Sequence, residues 1–237
     1  VGEIIPDDIE IISSFETVGH IAHLNLDEKI YKYRYILGKI LLDKNPGIKT
    51  VVTKTGNIES VYRTYPLEVI SGENNLKTVM KEHNILYNIE IDKVYWNSRL
   101  SNERLRLSLL IPSGSLVFDL TCGVGAFTIP LAKLRNCFVY SNDLNPFAIE
   151  LLKENISLNK VNAGQITVSQ KDCRECIEAI LNTGIDTLKL FGMEKSIESY
   201  ISRTKNFYWI CNLPELSLSM LKESLPFRNE SLKHGKG

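Results

Sequence analysis

The sequence lacks most of the features that fix a protein's class at a glance. No run of about 18 apolar residues occurs, so no membrane-spanning helix is expected. No charged-then-apolar leader opens the chain, so no secretory signal is expected. Net charge is zero, with 28 Lys and Arg against 28 Asp and Glu, so bulk charge gives no pull toward nucleic acid. Repeats and low-complexity tracts are absent. Only five cysteines occur, Cys122, Cys137, Cys173, Cys176 and Cys211. Their odd number and irregular spacing predict reduced thiols in a reducing compartment. The lone "CREC" at 173–176 has no second pair and no nearby His. Zinc or redox use stays open there, but two thiols on a helix face are the ordinary reading.

What is present fits a globular protein, with 43% hydrophobic and 24% charged residues in 237. The charge is uneven. From Lys29 to Lys54 seven cations face one acid, Asp43, with Tyr31, Tyr33 and Tyr35 interleaved. Such a stretch suits a surface that tracks phosphates and stacks bases. Taken alone, it reads as a solvated face of a helix and a strand.

The first part of the chain reads as a small α/β unit. "GHIAHLNLDEKIYKYRYILGKILLDK" opens apolar and then carries Ile30, Ile36, Leu37, Ile40 and Leu41 at helical spacing. "IKTVVTKTG", "NIESVYRTYPLEVISG" and "HNILYNIEIDKVYW" read as strands. "NERLRLSLLIPSG" reads as a helix closed by Pro and Gly. Beyond it, strand, loop and helix alternate: "SLVFDL", "AFTIPLAKL", "CFVYSND", "NPFAIELLKENISLNKV", "QITVSQKD", "CRECIEAILNTG", "FYWICNLP". That alternation predicts a parallel sheet covered by helices. The division expected is residues 1–98 and 99–237.

"FDLTCGVGAF" sets Asp119 at a strand end, then Gly123 and Gly125, then a helix. The third glycine of a dinucleotide fingerprint is missing, which counts against NAD. Asp143 ends the next strand, where a carboxylate can accept both ribose hydroxyls of a nucleoside. Asp172 ends the third, where it can receive an adenine amino group. Each alone could be a helix N-cap. Three acidic strand ends beside a GxG loop fit S-adenosylmethionine, which has no phosphates to bind. The cofactor set expected is Asp119, Thr121, Gly123, Gly125, Asp143, Leu144, Asp172, Cys173 and Asn212. Asn212 opens "NLPE" at the fourth strand end, where its amide offers a donor and an acceptor to a base edge and Pro214 stiffens the loop. A plain strand-ending turn would also use Asn and Pro.

"HIAHLNL", "KVYWNSRLSNER", "DLTCGVGAF", "NDLNPFAIELLKENISLNKV", "DCRE" and "NLP" occur in that order. Together they resemble the archaeal and eukaryotic tRNA guanine-37 N1-methyltransferases, over about residues 10–225. The resemblance implies a Rossmann-like class I methyltransferase sheet preceded by a small α/β RNA-binding domain that contributes to the active site. It implies methyl transfer from S-adenosylmethionine to N1 of guanosine 37 of tRNA. Glu103 would be the general base, since N1 must lose its proton as the methyl arrives. Arg63 would stabilise charge developing at guanine O6, shared with Asn212. Tyr95 would position the target base, which must leave its stack. Arg99 and Arg104 would orient the carboxylate or meet phosphates, and Lys54 would join the RNA contacts. By itself Glu103 reads as a first-turn helix glutamate; the ordered blocks around it reverse that. No metal is required, because the sulfonium's leaving group departs neutral.

The family carries a further N-terminal domain, and here about ten residues precede the first block. Its sheet also continues past the fourth strand, whereas 23 residues follow Pro214. The expectation is a sheet truncated after the fourth strand, in a fragment or a reduced variant. Rival readings are the aminocarboxypropyl transferase of wybutosine synthesis, another base or amide methyltransferase, and a non-catalytic RNA-binding relic. "NLPE" differs from the "NPPY" or "DPPY" of the second rival. A monomer is expected, in the cytoplasm, with nucleus and mitochondrion open.

Overall fold

The computed structural model describes residues 15–56, 61–183 and 207–210. The chain divides into two compact units, Val1–Ser101 and Asn102–Gly237. Among the described residues no helix is long and apolar enough to cross a membrane.

The first unit holds β1 (Glu16–Val18), β2 (Ile21–Leu24), α1 (Glu28–Tyr31), α2 (Arg34–Lys44), β3 (Thr50–Lys54) and β4 (Leu67–Gly72), then a hairpin of β5 (Lys77–Glu82) and β6 (Ile85–Glu90). The sheet order is β1-β2-β3-β4. Only β2 and β3 pair in parallel, which needs a crossover, and the two helices supply it. Ala22, Leu24, Leu41, Val51 and Ile70 form the core on the helix side. Strand alternation therefore sends His23 to the opposite face, with its register partners Glu16 on β1 and Val52 on β3.

Three sequence expectations need correction here. The helical stretch is two helices, broken after Tyr31. Asp27 caps the first by accepting from the Ile30 N–H at 3.1 Å. The tyrosines at the break serve the fold. Arg34 lies 4.3 Å from the ring centroids of both Tyr31 and Tyr35. Both phenol hydroxyls donate to Glu68 at 2.7 Å, and those two bonds hold Glu68 below the usual carboxylate range. Two of the three interleaved aromatics thus stack on an arginine of this chain. Among the described residues of "NIESVYRTYPLEVISG", the strand begins at Leu67. Pro66 lacks the N–H a ladder needs, and Arg63 before it has φ +59°. Strand β5 was not anticipated, since its charged Lys77 and Lys81 mask the alternation that buries Thr78 and Glu82. His83 and Asn84, at φ +47° and +64°, turn it into β6.

The second unit begins at the second residue of α3 (Ser101–Leu110). It continues through β7 (Leu116–Asp119), α4 (Thr128–Arg135), β8 (Phe138–Asn142), α5 (Pro146–Leu158), β9 (Ile166–Ser169), α6 (Cys173–Thr183) and β10 (Phe207–Ile210). The strands are all parallel in the order β10-β7-β8-β9. All four residues of β7 are buried, as expected for a central strand covered on both faces. The chain runs outward from β7 to β9 and then returns on the other side of β7. That reversal leaves a crevice at the carboxyl ends of β7 and β10, the usual ligand position in such sheets. Asn142 ties the strand ends together: its Nδ2 donates to the carbonyls of Leu120 and Lys171, and its Oδ1 accepts from Lys171 N–H. The expected truncation past the fourth strand falls outside the described residues.

Candidate active site

The loop after β7 is shaped by two glycines with different reasons. At Gly125, φ is +93° and a Cβ would lie 2.6 Å from Leu152 Cδ1. Only glycine lets the loop pack on α5. At Gly123, φ is +54° and a Cβ would meet nothing within 4 Å. That side of the loop is open to a ligand. The Gly123 N–H donates to Asp143 Oδ2 at 2.8 Å, and the Asn145 N–H donates to Asp143 Oδ1 at 2.9 Å. The two oxygens offer about four acceptor positions between them, so the carboxylate keeps room for a hydroxyl. Burial raises the Asp143 pKa against backbone hydrogen bonds from Asn145, Gly123 and Leu144.

Asp119 is fully buried. Its Oδ2 accepts from Thr128 Oγ1 at 2.8 Å, and Thr128 also meets Ser141 Oγ at 2.8 Å. Its Oδ1 has no hydrogen-bond partner among the described residues. Burial pushes this carboxyl up to about 7, with the Thr128 hydroxyl opposing and the Asp143 charge adding. Thr128 and Ser141 carried no signal in the sequence, being ordinary residues at a helix start and in a strand. Leu144 is 40% exposed, and so is its neighbour Phe147 at 41%. They present apolar surface beside Asp143, and Phe147 was not singled out from sequence. Thr121 is half-buried, and Cys173 is buried at the start of α6 in no disulfide. Asp172 does what the simpler reading expected of it as well: its Oδ1 accepts from the Arg174 N–H at 2.9 Å and from Arg174 Nε at 3.1 Å. Those bonds hold its pKa down. An orphaned carboxylate oxygen, an open glycine and a two-oxygen acceptor at one strand-end crevice fit a nucleoside cofactor. Asn212 and Pro214 lie outside the described residues.

On α3, Glu103 is half-exposed and bound by two oxygens to Arg106, at 2.7 Å from Nε and 2.6 Å from Nη2. That guanidinium holds the carboxyl below its usual range, so Glu103 is ionised at neutral pH. The arginine bound to Glu103 is Arg106, which sequence reasoning did not single out. Residues three apart on a helix share a face, whereas adjacent ones do not. Arg104 points away and is 6% exposed, a position that removes it from solvent phosphates. Arg99 is exposed in the turn at Ser98–Leu100, which Asn97 caps by accepting from the Arg99 N–H.

In the first unit a cleft of about 210 Å³ gathers Arg63, Tyr95 and Lys54, three residues expected from the sequence. Its floor is the sheet face opposite α2, with Glu16, His23, Lys54 and Leu67, and residues 63–65, Ile91 and residues 94–97 wall it. Lys54 Nζ sits 3.8 Å from the Tyr65 ring centroid, a cation–π contact. Trp96 leans on Tyr87 with centroids 5.2 Å apart. Tyr95 is 47% exposed. Arg63 holds a backbone conformation that non-glycine residues seldom adopt, a strain that tends to mark functional loops.

The family model of the TRM5/TYW2 methyltransferase domain matches residues 78–207, and that of the TYW2 N-terminal domain matches residues 2–75. The chain belongs to the TRM5/TYW2 methyltransferase family. It is 37% identical over 218 residues to the human tRNA (guanine(37)-N(1))-methyltransferase, covering 92% of this chain and 41% of that protein. A solved complex of aTrm5 with tRNALeu is 34% identical with a TM-score of 0.63, covering 70% of this chain and 49% of that one. Methanocaldococcus jannaschii Trm5 in complex with adenosine is 35% identical with a TM-score of 0.58, covering 70% and 49%. The chain thus spans less than half the length of each of these three relatives.

Proposed function

We propose that this chain transfers a methyl group from S-adenosylmethionine to N1 of guanosine 37 in tRNA. The observation that carries the reading is Glu103: an exposed carboxylate kept ionised by Arg106, in a chain of this family. Guanine N1 holds a proton at neutral pH. Glu103 takes that proton as the N1 lone pair forms the new bond to carbon. The cofactor supplies an electrophilic methyl and leaves as a neutral thioether. Asp143 and the open side of Gly123 would hold its ribose, and Leu144 would flank its adenine. Asp119 would lie beneath, with Asp172 toward the adenine edge. Arg63 and Asn212 would meet the charge that grows on O6, and Tyr95 would stack on the base. Arg99 and Lys54 would join the RNA contacts. Substrate and cofactor follow the relatives, which include a guanine-37 methyltransferase, a Trm5 complex with tRNA and a Trm5 complex with adenosine. The reading includes action as a monomer in the cytoplasm, in keeping with the free thiols of the described cysteines.

The match of residues 2–75 to a TYW2 N-terminal domain favours a second reading, aminocarboxypropyl transfer. One experiment separates them. Transcripts with G or A at position 37 are incubated with S-adenosylmethionine labelled either in the methyl or in the carboxyl carbon. Methyl label on the G transcript alone, with a large loss in Glu103→Gln, supports methyl transfer. Carboxyl label on the RNA would establish the rival. No label, with no cofactor binding by titration, would leave an RNA-binding relic.

A further inference from the structure

The buried face of α5 is apolar until Asn155 interrupts it. Ala148, Ile149, Leu151 and Leu152 are buried on this helix, and Asn155 is buried with them at 0% exposure. An amide is a poor helix-interior residue on propensity alone, and burying it is costly unless its polar atoms are bonded. Its Nδ2 donates to the Val124 carbonyl at 3.0 Å. Val124 is itself 1% exposed, so this bond is made away from water.

Val124 stands between the two glycines of the loop that follows β7. Its neighbours turn more freely than any other residue, so the loop needs holding from outside. Helix α5 does this. Leu152 Cδ1 fills the space at Gly125, where a Cβ would come within 2.6 Å. Asn155, on the next turn, fixes the Val124 carbonyl. At the other end of the helix, the Asn145 N–H fixes Asp143 Oδ1 at 2.9 Å. The Gly123 N–H then closes on Asp143 Oδ2 at 2.8 Å. Loop and carboxylate are fastened to one helix, near its two ends.

We propose that Asn155 is a positioning residue for the cofactor: by holding the Val124 carbonyl it keeps the Gly123 N–H on Asp143, and so keeps that carboxylate aimed at the ribose hydroxyls. This deepens the proposed function and rests on it for the identity of the cofactor. Without the amide, the buried Val124 carbonyl loses its partner, a costly state. The glycines on either side let the loop turn away to satisfy it. The Gly123 N–H then leaves Asp143 Oδ2, and the carboxylate loses one of the bonds that aim it.

Two nucleosides separate positioning from general loosening. Adenosine offers both ribose hydroxyls to Asp143, and 2′,3′-dideoxyadenosine offers neither. Each is titrated with the full chain and followed by ligand-observed NMR, which reads weak affinities as well as tight ones. Asn155→Leu puts an apolar group of similar size in place of the amide. Asn155→Asp keeps the shape but cannot donate when ionised. The expected result is about tenfold weaker adenosine binding, the scale of one hydrogen bond to a charged group. Dideoxyadenosine binding changes much less. A merely structural role would loosen the whole site and weaken both nucleosides alike. Melting curves identify folded variants among Asn155→Leu, Asn155→Asp and Asn155→Ala, and any one suffices. In turnover the loss falls on KM for S-adenosylmethionine rather than on kcat. A folded variant that binds adenosine as wild type does, or that weakens both nucleosides equally, overturns the assignment. A wild-type chain that prefers neither nucleoside overturns it together with the ribose role of Asp143. A wild-type chain that binds no adenosine overturns the cofactor reading as well. Where the adenosine loss is seen but no methyl label reaches the RNA, methyl transfer fails and this assignment stands.

Discussion

Replacing Asp119 by Asn should change how the protein's stability depends on pH. Asp119 is wholly buried at the end of β7, and its pKa rises from 3.8 to about 7. Burial is the chief cause. The folded state therefore holds this proton more tightly than the unfolded chain does, and the direction follows from linkage. The contribution is fully present below 3.8 and is lost as pH rises through about 7. At roughly 1.4 kcal/mol per pKa unit, the whole effect is on the order of 4 kcal/mol. Of that, about 3 kcal/mol falls between pH 5 and pH 8.5. Asn has the same shape, can accept from Thr128 through its oxygen, and never ionises. The assay is urea denaturation of wild type and Asp119→Asn across that range. The difference between the two proteins is the quantity to read, because Asp143 is also raised by burial and shapes both curves. The variant should gain on the wild type as pH rises. A difference that stays constant from pH 5 to pH 8.5 would refute the reasoning.

Three further outcomes follow from particular contacts. Arg106→Ala removes the two bonds that keep Glu103 acidic. In the proposed reaction Glu103 acts as a base when deprotonated, so the acid limb of the pH–rate profile should move to higher pH, measured as kcat/KM. Gly125→Ala forces a Cβ against Leu152 at 2.6 Å in a left-handed conformation. It should cost about 1–3 kcal/mol or more, read as a lower melting temperature. Asp143→Ala frees the Gly123 and Asn145 amides and should weaken S-adenosylmethionine binding by about 10- to 100-fold, by calorimetry.

The strand-loop-helix rhythm of the second unit was legible because each signal is local. Buried parallel strands read as apolar runs, glycines mark the loop, and Asn145 with Pro146 opens α5 as a cap should. The three acidic strand ends could be found because the sheet's topology places every strand end of one sense on one side. What the sequence could not provide was partner choice. It offered Arg99 and Arg104 to orient Glu103 or to meet phosphates, and did not single out Arg106, which helical phase places on Glu103. It read the stretch holding Tyr31 and Tyr35 as a solvated face suited at most to stacking bases, while the fold gathers both tyrosines on Arg34 and Glu68. His23 is silent in the sequence for the same reason. Only the register of β1, β2 and β3 puts it on the cleft face with Lys54. Local order is encoded in spacing and turn chemistry along the chain. Which groups meet, and which are left buried without a partner, depends on distant segments packing together, and that is a property of the tertiary structure alone.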